Sequence, residues 1–174
     1  RAVSPAAPVT TPSGSARRSR WSEAAALTPF FRVHNGPISG PRMPWSYDAE
    51  TESIWTRMAL LHQDAAPAFQ RAWEEAERTG MPVIRPLWLA DPGSATTPHN
   101  DDEWLVGPDL LAAPVVEEGA TSREVWLPEG CWQAQGTGAK VMGRTAIVVD
   151  APLGELPWFQ RCAASPWPTW ISDR

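Results

Sequence analysis

One tyrosine, one lysine, three histidines and two cysteines are all that the 174 residues contain of those types. Two cysteines cannot build a disulfide-dense scaffold, and the spacing of Cys131 and Cys162 matches no metal site. They read as reduced, buried thiols, with a single bridge as the alternative. No His/Cys/carboxylate group has ligand spacing and no Gly-rich phosphate loop precedes a helix, so neither metal nor cofactor is expected. No apolar run approaches the roughly 20 residues that span a bilayer, and no apolar leader is visible. The expectation is a cytoplasmic chain with no membrane partner. Lysine is so scarce beside 14 arginines that coding preference explains it better than any physical need. A net charge of −5 argues against nucleic acid as a partner.

Tryptophan and proline are abundant instead, at 11 and 19 residues. Nineteen prolines imply loops and short strands. Eleven indoles suit either sugar stacking or the filling of gaps between strands, and the core role is preferred for most of them. The length suits one domain, or a small domain with part of another.

Arg1 to Arg20 holds almost nothing large and apolar, and is expected to be a disordered or non-native tail. A short helix follows at Trp21–Leu27, capped by Ser22 and stopped by Thr28-Pro29. Phe30 to Val33 reads as a short buried strand that runs into a polar loop from His34 to Tyr47. Strand-to-loop junctions of this kind carry working side chains in α/β proteins. A helix is expected from about Ala49 to Thr79. Asp48 caps it, Pro67 kinks or splits it, Gly80 ends it, and Ile54, Met58, Leu61, Ala65, Ala68, Ala72 and Ala76 form its apolar stripe. Arg71–Glu75 and Glu74–Arg78 are expected to pair on its outer face. Beyond Gly80 the period becomes strand-like. Candidate strands are Pro82–Leu89, Glu103–Val106, Leu110–Val116, Arg123–Leu127, Cys131–Gln135, Thr145–Val149 and Leu156–Arg161, separated by turn signals. The expectation is an antiparallel β-sandwich.

His34 is the strongest candidate for contact with a substrate. Arg32 is placed on the opposite side of the strand as a structural ion-pair donor, and Trp45 either at a pocket mouth or packed beneath the loop. His62 lies near the helix stripe and reads as a hydrogen-bonded boundary residue, and His99 as a solvent-facing turn residue. Asp101, Asp102 and Glu103 are adjacent in an extended segment, so alternation keeps them from forming a catalytic dyad. They are assigned to turn capping or arginine pairing. A triad of Ser22, His34 and Asp48 has no nucleophile-elbow context and is rejected.

Five runs in order carry a resemblance: Arg20-Trp21 with Leu27-Thr-Pro-Phe-Phe-Arg-Val-His34 and Pro44-Trp45; Gly80-Met-Pro-Val-Ile-Arg-Pro-Leu87; Asp101 to Val115; Leu127 to Trp132; and Asp150 to Pro157. Together they resemble glycoside hydrolase family 31, the α-glucosidase and α-xylosidase family. The resemblance implies α/β plus all-β architecture: the C-terminal remnant of a (β/α)8 barrel over residues 21–81, then an antiparallel β-sandwich over 82–174. It implies retaining hydrolysis of terminal α-glycosides by two Asp, one nucleophile and one acid/base. Neither Asp motif is present, so the resemblance supplies no catalytic residue here. It assigns substrate binding to His34, through a hydroxyl of the bound sugar. The Asp-x-Gly-Gly-Phe run that precedes Arg-Trp in the family is also missing. A gene fragment, or a frame or splice error over the first twenty residues, is therefore expected. The partners implied are an α-glycoside or oligosaccharide and the rest of the barrel. A reading from another class is a non-catalytic β-sandwich that binds sugar on Trp88, Trp104, Trp126 or Trp132.

Overall fold

A computed structural model describes residues 14–34, 42–90 and 101–162. Helix α1 spans Gly14–Ala26, α2 Ala49–Asp64 and α3 Ala66–Thr79, and a 3-10 turn at Pro44–Ser46 precedes α2. Local chemistry sets these boundaries. The Asp48 carboxylate accepts from the Thr51 N–H at 2.7 Å and caps α2. That bond, with help from the Thr51 hydroxyl, holds the carboxyl below its ordinary 3.8. A carboxylate held down by folding stabilises fully above its ordinary value and loses that contribution as pH falls through the folded value. Pro67 splits the long helix: α2 ends at Asp64, capped by Ala65, and α3 restarts with the proline in its first turn, where no N–H is needed. Gly80, at φ 76°, ends α3 in the left-handed conformation and donates to Ala76 O at 2.9 Å.

Four expectations for this region are corrected. Residues 14–20 of the expected tail are helical, and Ser22 is no cap; its hydroxyl donates to Ser19 O inside α1. Tertiary anchoring outweighs the poor composition, since Ser19, Ser22, Glu23 and Ala26 are all buried. Phe30 to Val33 forms no strand pairing among the described residues, and Phe30 is 80% exposed. A strand needs a neighbour for its backbone groups, and every paired strand described here lies beyond residue 83. The α3 surface pairs also differ, because Glu75 turns to Arg85 at 2.5 Å while Gln70 donates to Glu74.

After α3 come β1 (Ile84–Pro86), α4 (Leu87–Ala90), β2 (Trp104–Val106), β3 (Leu110–Ala112), β4 (Ser122–Leu127), β5 (Cys131–Ala134), β6 (Lys140–Met142), β7 (Thr145–Asp150) and β8 (Trp158–Arg161). Six of the strands form an antiparallel sheet in the order β1-β2-β3-β8-β5-β6, and β4 pairs with β7 as a separate ribbon. Alternation along the strands divides the core. Val106, Leu110, Ala112 and Trp158 face Ile54, Met58, Ala65, Ala68 and Ala72 of the helices. Leu105, Leu111, Trp132 and Phe159 face the other way, toward Val125 and Leu127 of the ribbon. The alanines of α3 let it lie close: a Cβ at Gly107 would come within 3.1 Å of the Ala72 Cβ. The described residues thus combine helices with antiparallel sheet and contain no closed barrel.

Cys131 and Cys162 are joined in a disulfide, with Cα atoms 5.4 Å apart, which corrects the reduced-thiol expectation. Pairing of β5 with β8 brings the two together, and the Cys162 N–H donates to Cys131 O at 3.0 Å. Closing a loop of this length is worth about 3–4 kcal/mol through the unfolded chain. A urea titration with and without dithiothreitol should show that loss. Unchanged midpoints, with two titratable thiols in the untreated protein, would refute the bridge.

Candidate functional site

From Phe30 to His34 exposure alternates: Phe30, Arg32 and His34 face outward, while Phe31 and Val33 are half-buried. Phe31 sits among aromatic rings, 5.4 Å from Trp55 and 5.5 Å from His62, which pins the segment to α2. Arg32 is therefore on the same face as His34, not the opposite one: exposure alternates residue by residue, and residues two apart share a face. Arg32 Nη2 lies 3.0 Å from His34 Nδ1. A guanidinium can only donate, so Nδ1 accepts and the ring proton sits on Nε2, leaving an N–H donor on the exposed imidazole.

Helix α1 supplies the other side of the cleft. Arg18, Trp21, Ser22 and Ala25 line it together with Phe31, Arg32 and His34, and Arg42 and Trp55 complete its rim. Of these, Arg18 fell in the expected tail, while Trp21, Ser22 and Ala25 fell in the expected short helix without being assigned to a cleft. The 18–21–22–25 spacing, one face of a helix, was the available signal. The cleft volume is about 90 Å³. Small-molecule pockets run to about 300–1,000 Å³, so this cleft by itself is too small to enclose a ligand of that size. Among the described residues, no carboxylate lines it.

The remaining candidates have structural roles. His62 donates from Nδ1 to Ala26 O at 3.0 Å, the boundary role expected of it. Asp102 and Glu103 hold Arg123 Nη2 at 3.0 and 2.8 Å, so the acidic run pairs an arginine as expected. Trp45 is exposed and is not among the residues that line the cleft. His99 lies outside the described residues. The four tryptophans of the alternative reading do not share a surface. Trp132 is fully buried and donates to Pro128 O, Trp104 donates to Leu27 O, and Trp88 alone of the four is widely exposed.

Helices packed on one face of an antiparallel sheet, with an exposed cleft along α1 and the segment that carries His34, are the features the described residues offer for comparison. Two family models match the chain: the glycosyl hydrolases family 31 TIM-barrel domain over residues 14–69, and the family 31 C-terminal domain over residues 80–164. The chain belongs to glycoside hydrolase family 31. A sulfoquinovosidase of Escherichia coli is 36% identical over 148 residues, 85% of this chain and 22% of its own length. A probable glucan 1,3-alpha-glucosidase of Oryza sativa is 33% identical over 146 residues, 83% of this chain and 16% of its own. Among solved structures, a Flavobacterium johnsoniae family 31 dextranase complexed with glucose superposes with a TM-score of 0.80 at 34% identity. That match covers 86% of this chain and 18% of the dextranase. The chain thus spans about a fifth of the length of these relatives.

Proposed function

We propose that this chain forms the last part of the catalytic barrel and the bracing β-domain of a retaining α-glycosidase that removes terminal α-linked sugars. In this reading the six-stranded sheet and its β4–β7 ribbon are the family's β-sandwich. His34 contacts a hydroxyl of the sugar through Nε2–H, and Phe30 and Trp21 pack against barrel elements encoded upstream. The observation that carries the reading is the outward face of Phe30, Arg32 and His34, inside the stretch matched by the barrel-domain model and fixed in one tautomer by Arg32. Relatives and neighbours named for glucosidase, sulfoquinovosidase and xylosidase activity support an α-glycoside as the substrate class.

Retaining hydrolysis needs two carboxylates flanking the glycosidic bond, and among the described residues none lines the His34 cleft. The purified 174-residue chain should therefore show no turnover of a p-nitrophenyl α-glycoside, whereas the chain preceded by its barrel segment should hydrolyse it. Turnover by the chain alone would defeat the proposal, as would an inactive joined enzyme whose fold is intact.

A further inference from the structure

Helix α1 has two working faces. One lines the cleft with His34, through Arg18, Trp21, Ser22 and Ala25. The other is fastened to the β-domain. Arg20 Nη2 donates to Ala120 O and Ala151 O at 2.8 Å each, and Nη1 donates to Glu23 Oε2 at 2.7 Å and Pro152 O at 3.3 Å. Glu23 is fully buried, and its second oxygen accepts from the Gly154 N–H at 2.8 Å. From α2, Arg57 Nη2 reaches Gly154 O at 3.4 Å.

Gly154 fits because it lacks a side chain. Its φ is 94°, and a Cβ there would stand 2.5 Å from Arg57 Nη2 and 3.1 Å from Ile54 Cγ1. Burial pushes the Glu23 carboxyl up, against the bonds from Arg20 and Gly154 that pull it down. Such a group stays in place because every one of its partners is fixed.

The end of α1 is tied as firmly. Thr28 N–H and Oγ–H donate to Ala25 O, His62 to Ala26 O, and the Trp104 indole, from β2, to Leu27 O at 2.9 Å. Only three residues separate Leu27 from the pinned Phe31, and three more reach His34. Little slack lies between the β-domain and the imidazole.

We infer that Arg20 and Glu23 are positioning residues: through them the 150–155 loop of the β-domain sets the orientation of α1 and so of the wall that carries His34. The inference rests on the proposed role of His34 for its purpose, but its test does not need sugar. Side-chain nitrogen NMR of the histidine-labelled 174-residue chain reads the tautomer of His34 directly. In the wild type, bonding to Arg32 keeps Nδ1 and Nε2 at widely separated shifts. Glu23→Gln and, from the far side of the contact, Gly154→Ala should narrow that separation toward the exchange-averaged value. Arg20→Lys should retain more of it than Arg20→Met.

Val125→Ala, which destabilises the ribbon side of the core without touching these contacts, serves as the control and should leave His34 unchanged. A fully wild-type His34 spectrum in folded Arg20→Met and Glu23→Gln proteins would overturn the inference, as would an equal change in Val125→Ala. If Glu23→Gln does not fold, the Arg20→Lys and Arg20→Met comparison decides alone. Failure of the glycosidase reading would appear instead as a joined enzyme that is folded but inactive.

Discussion

Replacing Glu103 by alanine is expected to cost about 3–5 kcal/mol of stability, the loss that follows when one member of a buried ion pair is removed. The Glu103 side chain is wholly buried, while that of Arg123 is 10% exposed. The carboxylate also accepts the Trp126 N–H, at 3.2 Å on one oxygen and 3.1 Å on the other. Arg123 has further acceptors in Asp102 Oδ1 and in the Asp102 and Pro114 carbonyls. Alanine at 103 would strand part of a guanidinium and one backbone donor at the junction of β2 with β4. The contrast is the Arg144–Glu129 pair, whose side chains are 58% and 67% exposed. Glu129→Ala should cost less than about 1 kcal/mol, because water screens the pair and replaces it. Urea midpoints of the two variants compare them directly. Equal losses would show that the acidic run does not hold the sheet as described.

That contrast also shows what a sequence can reveal. The run Asp101-Asp102-Glu103 was legible as a non-catalytic pairing element, because strand alternation alone forbids a dyad of neighbours. The Asp48 cap, the Pro67 break and the Gly80 terminus were legible too, each being decided by bonds within a few residues. What depended on distant partners was not. The cysteines are bridged because β5 lies beside β8, a pairing between segments almost thirty residues apart that no local pattern encodes. Helix α1 starts at Gly14, in a stretch of small residues and arginine, because Arg20 and Glu23 find their acceptors and donors beyond residue 119. Strand β6 was missed because Lys140–Met142 is short, flanked by glycine and largely exposed. At the candidate site, His34 was singled out from the sequence, and the structure places it on an exposed face. The face shared with Arg32 was misjudged, although the two-residue period of an extended chain already implied it.

The central claim is that the His34 imidazole touches sugar, and the most direct measurement is kcat/KM for an aryl α-glycoside. It is to be made on the enzyme in which this chain follows its barrel segment, with His34 intact and with His34→Ala. Among the described residues the ring is exposed and hydrogen-bonds the likewise exposed Arg32. The variant should therefore fold and melt like the parent. Losing one hydrogen bond to a substrate hydroxyl in a closed site should lower kcat/KM about 10- to 100-fold, or roughly 1.4–2.8 kcal/mol. A folded His34→Ala enzyme with unchanged kcat/KM would contradict the account.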